Sequence, residues 1–377
     1  MELELTPEQE SIRDSIGRFL NQRANPQDRR RLIDTETGFD REVWRELASS
    51  IGLHGLIIPE RLGGSGMGIP ELCAAFGEIG RVLLGGPYLA TIGASAPLII
   101  SCTTQAYQSE MLPRIADGSA VVTVAGAANS AQGASQPPLV ATRCGPGYSL
   151  SGAVPAVLEG MIAETILVVA RHEQGVGLFA VAASCDGLQR ESLDMIDLTR
   201  RFARMTFNRT PARLVSGDGD AATAIAVGIQ TAAVVHAAEQ IGAAQQCLDM
   251  AVAHSKLRLQ FGKPIGAFQA VKHRCAEMTA KIESARLGFY YAAWAAEKAH
   301  DELAIASAVA RVACQDALAF AAAQNIQIHG GMAFTWDYDA QLYFRRAKAD
   351  QFIFGTPRQE RERLTSLALA RTAQAGG

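Results

Sequence analysis

The sequence has little excess charge, few aromatic residues and no paired cysteines. Its 377 residues carry a net charge of −3 at pH 7, and 6% of them are Phe, Trp or Tyr. A balance this close to neutral gives no reason to expect a nucleic acid or a membrane surface as partner. The seven cysteines lie between Cys73 and Cys314 and form no Cys-x-x-Cys pair. We therefore expect reduced thiols and a cytoplasmic protein.

Long apolar runs are also missing. The longest, from Ala224 to Ala238, is interrupted by Gln230, Thr231 and His236. The first residues, Met-Glu-Leu-Glu, lack the basic and apolar regions of a signal peptide, so we expect no segment to span a bilayer. With 48% hydrophobic residues, the composition is that of a globular protein large enough for two or three domains.

Local patterns divide the chain into three predicted domains. Residues 1–115 are predicted to be a helical N-terminal domain, which opens with Thr6 as N-cap and Gln9 closing a capping box. Residues 116–215 contain short β-branched runs broken by Gly, Ser and Pro, which predict a small β-barrel or sandwich. Residues 216–377 are alanine-rich. Their apolar residues recur at alternating spacings of four and three positions, which predicts a four-helix bundle. The predicted seam is Val271, Cys275, Met278, Ile282, Ala285, Phe289, Ala292 and Ala296.

Two stretches of the C-terminal region contain residue types suited to a dinucleotide. Gly262 and Pro264 predict the end of a long helix, with Arg258 on its last turn. An arginine there offers a planar fork of donors to a phosphate, and Phe261 offers an apolar face to a ring. Gly330–Gly331 would let the backbone approach a ligand closely. Each stretch taken alone has an equally good ordinary explanation. The first is explained by an arginine at a helix end and the second by a simple turn.

In combination and in this order, the motifs resemble the C-terminal domain of the acyl-CoA dehydrogenase family. The matching pattern is Arg258-x-x-Phe261-Gly-x-x-Ile, Phe268-Gln269, Gln327-x-x-Gly330-Gly331 and Arg345-x-x-Lys348. The resemblance implies an acyl-CoA dehydrogenase-like fold and FAD as cofactor, with these residues holding the diphosphate and adenosine end of an FAD seated mainly in a neighbouring subunit. The predicted cofactor contacts are Arg258, Phe261, Gln269, Gln327, Gly330, Gly331 and Thr356.

The middle region departs from the family pattern in two places. The loop from Gly126 to Ser135 has small polar residues but none of the acidic residues that the family uses beside the flavin and the thioester. The segment from Ala153 to Leu158 is mostly aliphatic, where the family has an aromatic and a hydroxyl residue. Either the flavin-facing wall is degraded, or a divergent loop is displaced by a few residues in this alignment.

The positions of the catalytic base also differ. Family members remove the proton beside the thioester carbonyl with a glutamate, which lies either just before a Gly-Thr pair or in the first long helix of the bundle. Here the two positions are Phe354 and Ala232. Glu239 is two helical turns from Ala232, about 10 Å by helical rise, so we expect it to have a packing or interface role. Glu360 is explained by the dipole of a final helix. No catalytic residue is therefore predicted.

The residues that would hold a neighbour's FAD are thus present, while those needed for the chain's own reaction are missing. This resembles the glutamate-lacking subunit of bacterial heterotetrameric acyl-CoA dehydrogenases, many of which act on steroid side-chain CoA esters. The expected partners are a homologous subunit carrying the glutamate, an acyl-CoA substrate and an electron-transferring flavoprotein. His273 and His329 lack the spacing of metal ligands. Two alternatives stay open: a homomeric enzyme with a relocated base, and a flavin-free regulatory or scaffold homologue.

Overall fold

A computed structural model describes residues 5–127 and 139–375. The N-terminal region is helical, and Thr6 caps its first helix in the predicted capping box with Gln9. Its helices are α1 (Pro7–Arg23), α2 (Pro26–Ile33), α3 (Arg41–Glu46), α4 (Ile69–Arg81), α5 (Ala96–Cys102) and α6 (Gln105–Ala116). A π-helical segment, Tyr88–Ser95, leads directly into α5. The change from helices to strands falls between Ala116 and Val122.

The middle region is a β-barrel, as the β-branched runs predict. Its strands are β1 (Val122–Ala125), β2 (Val140–Cys144), β3 (Gly147–Leu158), β4 (Thr165–His172), β5 (Gly175–Ala182), β6 (Leu188–Leu193) and β7 (Phe202–Leu214). The order β4-β2-β3-β7-β5 closes on itself because β5 also pairs with β4, while β1 and β6 are added at β4 and β7. Aliphatic and aromatic side chains such as Leu150, Val168 and Phe207 fill the interior.

The C-terminal region is built of long helices. They are α7 (Ala222–Leu257), α8 (Gln269–Lys298), α9 (Leu303–His329), α10 (Ala340–Ala349) and α11 (Pro357–Ala375). Of the predicted α8 seam, Val271 and Cys275 are half-buried and the other six residues are buried, so the periodicity identified the packed face. Helices α7 and α9 are apolar and long enough to cross a membrane, but most of each apolar window is buried within the protein.

Helix α7 ends earlier than the glycine and proline pattern predicted. Its last residue is Leu257, and Arg258 is already extended with ψ 121°. Gly262 does not close the helix. It forms, with Phe261, the turn of a hairpin between β8 (Leu259–Gln260) and β9 (Lys263–Pro264). Both turn residues have positive φ, 51° and 77°, which is the geometry of a tight type I′ turn.

Glycines allow a helix of the N-terminal region and a helix of the C-terminal region to make direct backbone contact. A Cβ on Gly242 of α7 would lie 1.8 Å from the carbonyl oxygen of Gly77 on α4, and one on Gly80 would lie 1.9 Å from that of Glu239. Because no side chain fits there, α4 and α7 touch through their backbones. This contact fixes the region of α7 that contains Glu239.

Cysteine packing agrees with the prediction of reduced thiols. All seven cysteines are free, and Cys73, Cys102, Cys247 and Cys314 are buried. Burial raises the pKa of the Cys247 thiol well above its ordinary value, so this sulfur behaves as a small core group.

Candidate functional site

Most of the predicted cofactor residues meet at one end of the helix bundle, which we call the open end: Arg258, Phe261, Gln269, Gln327, Gly330 and Gly331. Helices α7 and α9 both finish there. The rings of His254 and His329 stack between them, with centroids 4.1 Å apart. Arg258 follows His254 by one turn, and Gly330 follows His329 directly. The hairpin then returns the chain to Gln269 at the start of α8.

The open end is solvent-exposed. Phe261 is 91% exposed, and Arg258, Gln269 and Gln327 are exposed as well. Within the described residues the Arg258 guanidinium has no hydrogen-bond or ion-pair partner. A Cβ added to Gly330 or Gly331 would meet nothing within 4 Å. The donors and the bare backbone are therefore free to contact a molecule outside this chain.

The stacked imidazoles carry little charge at neutral pH. Burial, His329 and Arg258 all hold the pKa of His254 below its ordinary value. Burial also lowers the pKa of His329, whose Nδ1 lies 2.9 Å from the carbonyl oxygen of Asn325. Arg258 therefore supplies the positive charge next to the stack, which fits the diphosphate of a dinucleotide.

Thr356 stands apart from the other predicted contacts. It precedes α11, whose Glu360 pairs with Arg311 on α9. Arg311 lies 18 residues before His329, about 27 Å along the helix. The Thr356 hydroxyl accepts the Gln359 N–H at 3.3 Å, as a capping box requires. Glu360 is 1% exposed and pairs with the buried Arg311. The prediction that the dipole of the final helix is enough to explain Glu360 was therefore wrong.

The two positions predicted for the base of the family lie together at a second location, beside the middle of α7. We call this location the closed end because its charged groups pair within the chain. Phe354 is 8% exposed and Ala232 is 1% exposed. Phe354 meets the ring of His236 edge-on, with centroids 6.0 Å apart, and His236 is one turn after Ala232 on α7. A phenyl ring and a methyl group therefore occupy the two predicted base positions.

The carboxylates near these positions are already paired. Arg346 of α10 donates to Glu239 and to Asp197, both at 2.7 Å. Arg200, from the loop before β7, donates to Glu239 and Asp350. These five side chains are at most 4% exposed, and they join the barrel to α7 and α10. Glu239 is thus held between two guanidinium groups, and each of its two oxygens is engaged in an ion pair.

Asp350 is held in its ionised form. Burial by itself would raise the pKa of its carboxyl, but Arg200 and His236 outweigh burial and bring the pKa below its ordinary value. His236 Nε2 lies 3.4 Å from Asp350 Oδ2. The closed end is consequently a buried cluster of ion pairs within the chain.

The segment from Ala153 to Leu158 forms the last half of β3. Val154 and Val157 point into the barrel core, whereas Ala153, Pro155 and Ala156 are exposed. These exposed side chains provide neither a ring to stack on a flavin nor a hydroxyl to bind it. The loop Gly126–Ser135 lies almost entirely outside the described residues, which resume at residue 139.

Glu159, directly after β3, is a buried acid that sequence reasoning missed. It has φ 53° and is 1% exposed. Its Oε1 accepts the Arg201 backbone N–H at 3.2 Å, while its Oε2 has no hydrogen-bond partner among the described residues. Burial raises the pKa of Glu159 to about 7.

Sequence reasoning also missed Asp197, Arg200, His236, Arg346 and Asp350. They come from three separated segments, so no single spacing motif connects them. The one available signal was that His236 and Glu239 interrupt an apolar helix, because buried ionisable groups are rare unless paired. That signal indicates a partner without naming it. Among the described residues, no group of three or more His, Cys, Asp or Glu side chains could hold a metal ion.

Solved structures define the class of this protein. The chain superposes on a variant of the Tcur3481-Tcur3483 steroid acyl-CoA dehydrogenase with a TM-score of 0.88 and 29% identity over 97% of this chain and 99% of that one. The ChsE4-ChsE5 complex from Mycobacterium tuberculosis gives a TM-score of 0.88 and 28% identity, covering 97% and 98%. The architecture of helical domains on either side of a β-rich domain is therefore the acyl-CoA dehydrogenase fold.

Sequence comparison identifies the family. The model of the acyl-CoA dehydrogenase N-terminal domain matches residues 6–119, and that of the C-terminal domain matches residues 222–366. Acyl-CoA dehydrogenase IpdE2 of Mycolicibacterium smegmatis is 31% identical over 364 residues, which cover 96% of this chain and 98% of the relative. The chain belongs to the acyl-CoA dehydrogenase family, whose members are FAD-dependent oxidoreductases.

The described residues of the open end fit the diphosphate and adenosine half of FAD. The exposed Arg258, Phe261, Gln327 and Gly330–Gly331 suit a diphosphate and an adenosine presented from outside. At the closed end the charged groups pair with one another, and the exposed face of β3 from Ala153 to Ala156 has neither an aromatic ring nor a hydroxyl group for an isoalloxazine ring. The contrast between these two sites is the main structural observation about function.

Proposed function

We propose that this chain is the base-lacking subunit of a heteromeric acyl-CoA dehydrogenase that desaturates an acyl-CoA thioester. Its open end completes the FAD site of a homologous partner subunit, and the partner supplies the glutamate that removes the proton. FAD supplies the hydride acceptor in this reaction. The work of this chain is to bind and orient the diphosphate and adenosine end through Arg258, Phe261, Gln269, Gln327 and Gly330–Gly331.

The observation that carries the proposal is the asymmetry between the two ends. The cofactor-binding groups are exposed and unpaired, whereas Phe354 and Ala232 occupy the base positions and the nearby Glu239 and Asp350 are ion-paired. Two similar structures are described as a pair of proteins, Tcur3481-Tcur3483 and ChsE4-ChsE5. We extend that arrangement to this chain as a heterotetramer with half the usual number of FAD sites, located in the cytoplasm.

The test is to purify the chain alone and together with a homologous subunit that has a glutamate before its Gly-Thr pair. We expect no acyl-CoA turnover and no stoichiometric flavin for the chain alone. The complex should be active, and native mass spectrometry should show two copies of each chain with two FAD. Stoichiometric FAD and turnover by the chain alone would refute the proposal. Transfer of electrons to an electron-transferring flavoprotein can be assayed with the same complex.

One observation favours a second candidate, a homomeric enzyme with a relocated base. His236 lies beside Phe354 and faces Asp350 at 3.4 Å, an arrangement in which a carboxylate orients an imidazole. If the chain alone turns over a thioester, His236→Asn should abolish that activity and Glu239→Gln should leave the chemistry intact. Inactivity of the chain alone excludes this candidate. A flavin-free scaffold is separated from our proposal by the flavin absorbance of the complex and its dependence on Arg258.

A further inference from the structure

The stretch from residue 250 to residue 276 contains no acidic residue. It has five basic side chains, although the whole chain carries a net charge of −3: Lys256, Arg258, Lys263, Lys272 and Arg274. The stretch runs from the last turns of α7 through the hairpin into α8. Among the described residues none of the five forms an ion pair, and Arg274 donates to the neutral side chain of Gln324. The open end therefore carries more positive charge than Arg258 alone supplies.

The hairpin after α7 places two of these cations on one face. Gln260 pairs directly with Lys263. One pair further from the turn, the Ile265 N–H donates to the Arg258 carbonyl oxygen at 2.9 Å. Side chains directly opposite each other share a face, and so do side chains two residues apart on one strand. Arg258 and Lys263 are therefore diagonal neighbours on the same face, with Cα atoms about 7–8 Å apart.

An aromatic ring holds Lys263 in position. Its Nζ lies 4.5 Å from the centroid of the Phe268 ring, and Phe261 meets the same ring edge-on with centroids 6.1 Å apart. An ammonium group over a ring face keeps its N–H donors for oxygen acceptors. Lys263 is exposed, so these donors can reach a molecule outside the chain. Because the side chain is ordered beforehand, binding costs less conformational entropy.

The other two lysines of the stretch are not held in this way. Lys256 belongs to the last turn of α7 and Lys272 to the start of α8. Neither of them lies over an aromatic ring within the described part of the chain. Lys263 is thus the lysine whose side chain both an aromatic contact and the strand register bring to the face of Arg258.

We propose that Lys263 is a second cation of the open end, which binds the diphosphate of FAD together with Arg258. This inference rests on the proposed function, in which the FAD belongs mainly to the partner subunit. Each phosphate of the diphosphate carries a negative charge, and its oxygens accept charge-assisted hydrogen bonds from an arginine fork or an ammonium group. The two cations on one hairpin face match the two phosphates in charge.

The test measures how firmly the complex with the partner subunit retains FAD, from the fluorescence of flavin released on dilution. Lys263→Met should weaken retention about tenfold, because one charge-assisted contact is lost. Lys263→Arg keeps the charge and should retain FAD. Lys272→Met is the matched control, since it removes another exposed lysine of the same stretch, and it should leave retention unchanged. Equal losses in Lys263→Met and Lys272→Met would show a general field rather than a contact and would overturn the inference.

Salt provides a readout that a purely structural role would not change. Retention by the unmodified complex should fall as KCl is raised. Lys263→Met should flatten this dependence, and Lys272→Met should not. An unchanged salt dependence in Lys263→Met counts against a contact with the diphosphate.

Arg258→Ala, measured in the same assay, separates this inference from the proposed function. If Arg258→Ala releases FAD while Lys263→Met retains it as the unmodified complex does, the inference is wrong and the proposed function stands. If neither variant releases FAD, the proposed function fails as well.

Discussion

The open end of the C-terminal bundle and the closed end beside the middle of α7 use similar residues in opposite ways. At the open end Arg258 is exposed and has no partner among the described residues. At the closed end Arg200 and Arg346 are buried, and each contacts two carboxylates. An arginine with all its donors occupied stabilises the fold of its own chain, while one with free donors can serve another molecule. The donors of the open end are therefore available to another molecule, whereas those of the closed end are used within the chain.

Under the proposed function, this difference also explains how the chain keeps its fold without a base. Charged groups near a reaction centre would be costly to bury alone. Here Asp197, Glu239 and Asp350 are each ion-paired with at least one of two guanidinium groups that reach across from the barrel and α10. The closed end has the character of an interdomain ion cluster rather than of a catalytic site.

The largest expected effect comes from breaking that cluster. Arg346→Met leaves Asp197 and Glu239 partly unpaired in a buried site, which should cost about 3–5 kcal/mol of unfolding free energy. Chemical denaturation measures the change. Arg345→Met, on the same helix but partly exposed, should cost well under 1 kcal/mol. Similar losses in both variants would mean that the cluster is not what stabilises the closed end.

The next effect concerns pH. The folded-state pKa of Glu159 is raised by burial to about 7, against 4.5 for an ordinary glutamate, despite Arg200, Arg201 and Arg346 nearby. An acid with a raised folded pKa stabilises the fold below its unfolded pKa and loses that contribution as pH rises through the folded pKa. Wild type should therefore lose about 3 kcal/mol relative to Glu159→Gln between pH 4.5 and pH 8. Glu164→Gln, at an exposed glutamate, is the control. A pH-independent difference between wild type and Glu159→Gln would contradict the assignment.

A smaller effect tests the open end. Arg258→Ala removes a charge-assisted contact of about 1.5–3 kcal/mol, so the complex with the partner should retain FAD at least tenfold more weakly. Fluorescence of released flavin reports the change. Arg18→Ala, an exposed arginine of α1, should leave flavin retention as it was. Normal retention after loss of Arg258 would remove the open end from the cofactor site.

The smallest effect separates Thr356 from the other predicted contacts. Thr356→Ala removes the N-cap of α11 and should lower stability by about 1 kcal/mol. Thr365→Ala, in the middle of the same helix, should cost less. Thermal melts compare the two. If Thr356→Ala also releases flavin from the complex, Thr356 contacts the cofactor despite its distance from the open end.

Local patterns predicted the parts of the fold that depend on periodicity. The α8 seam from Met278 to Ala296 is buried as predicted, and the β-branched runs form a barrel. The hairpin at Phe261–Gly262 was misread as a helix end, because a glycine with positive φ serves a helix cap and a type I′ turn equally well. The contact of Gly242 with Gly77 gave no local signal, since a glycine within a helix is explained only by the element that packs on it.

The sequence by itself determined what is absent. Phe354 and Ala232 have no ionisable group, whatever the fold, so neither position can accept a proton. Only the tertiary structure decided what the remaining charges do. Pairing and burial depend on distances between residues far apart in the chain, which is why Arg258 is exposed and Glu239 is enclosed.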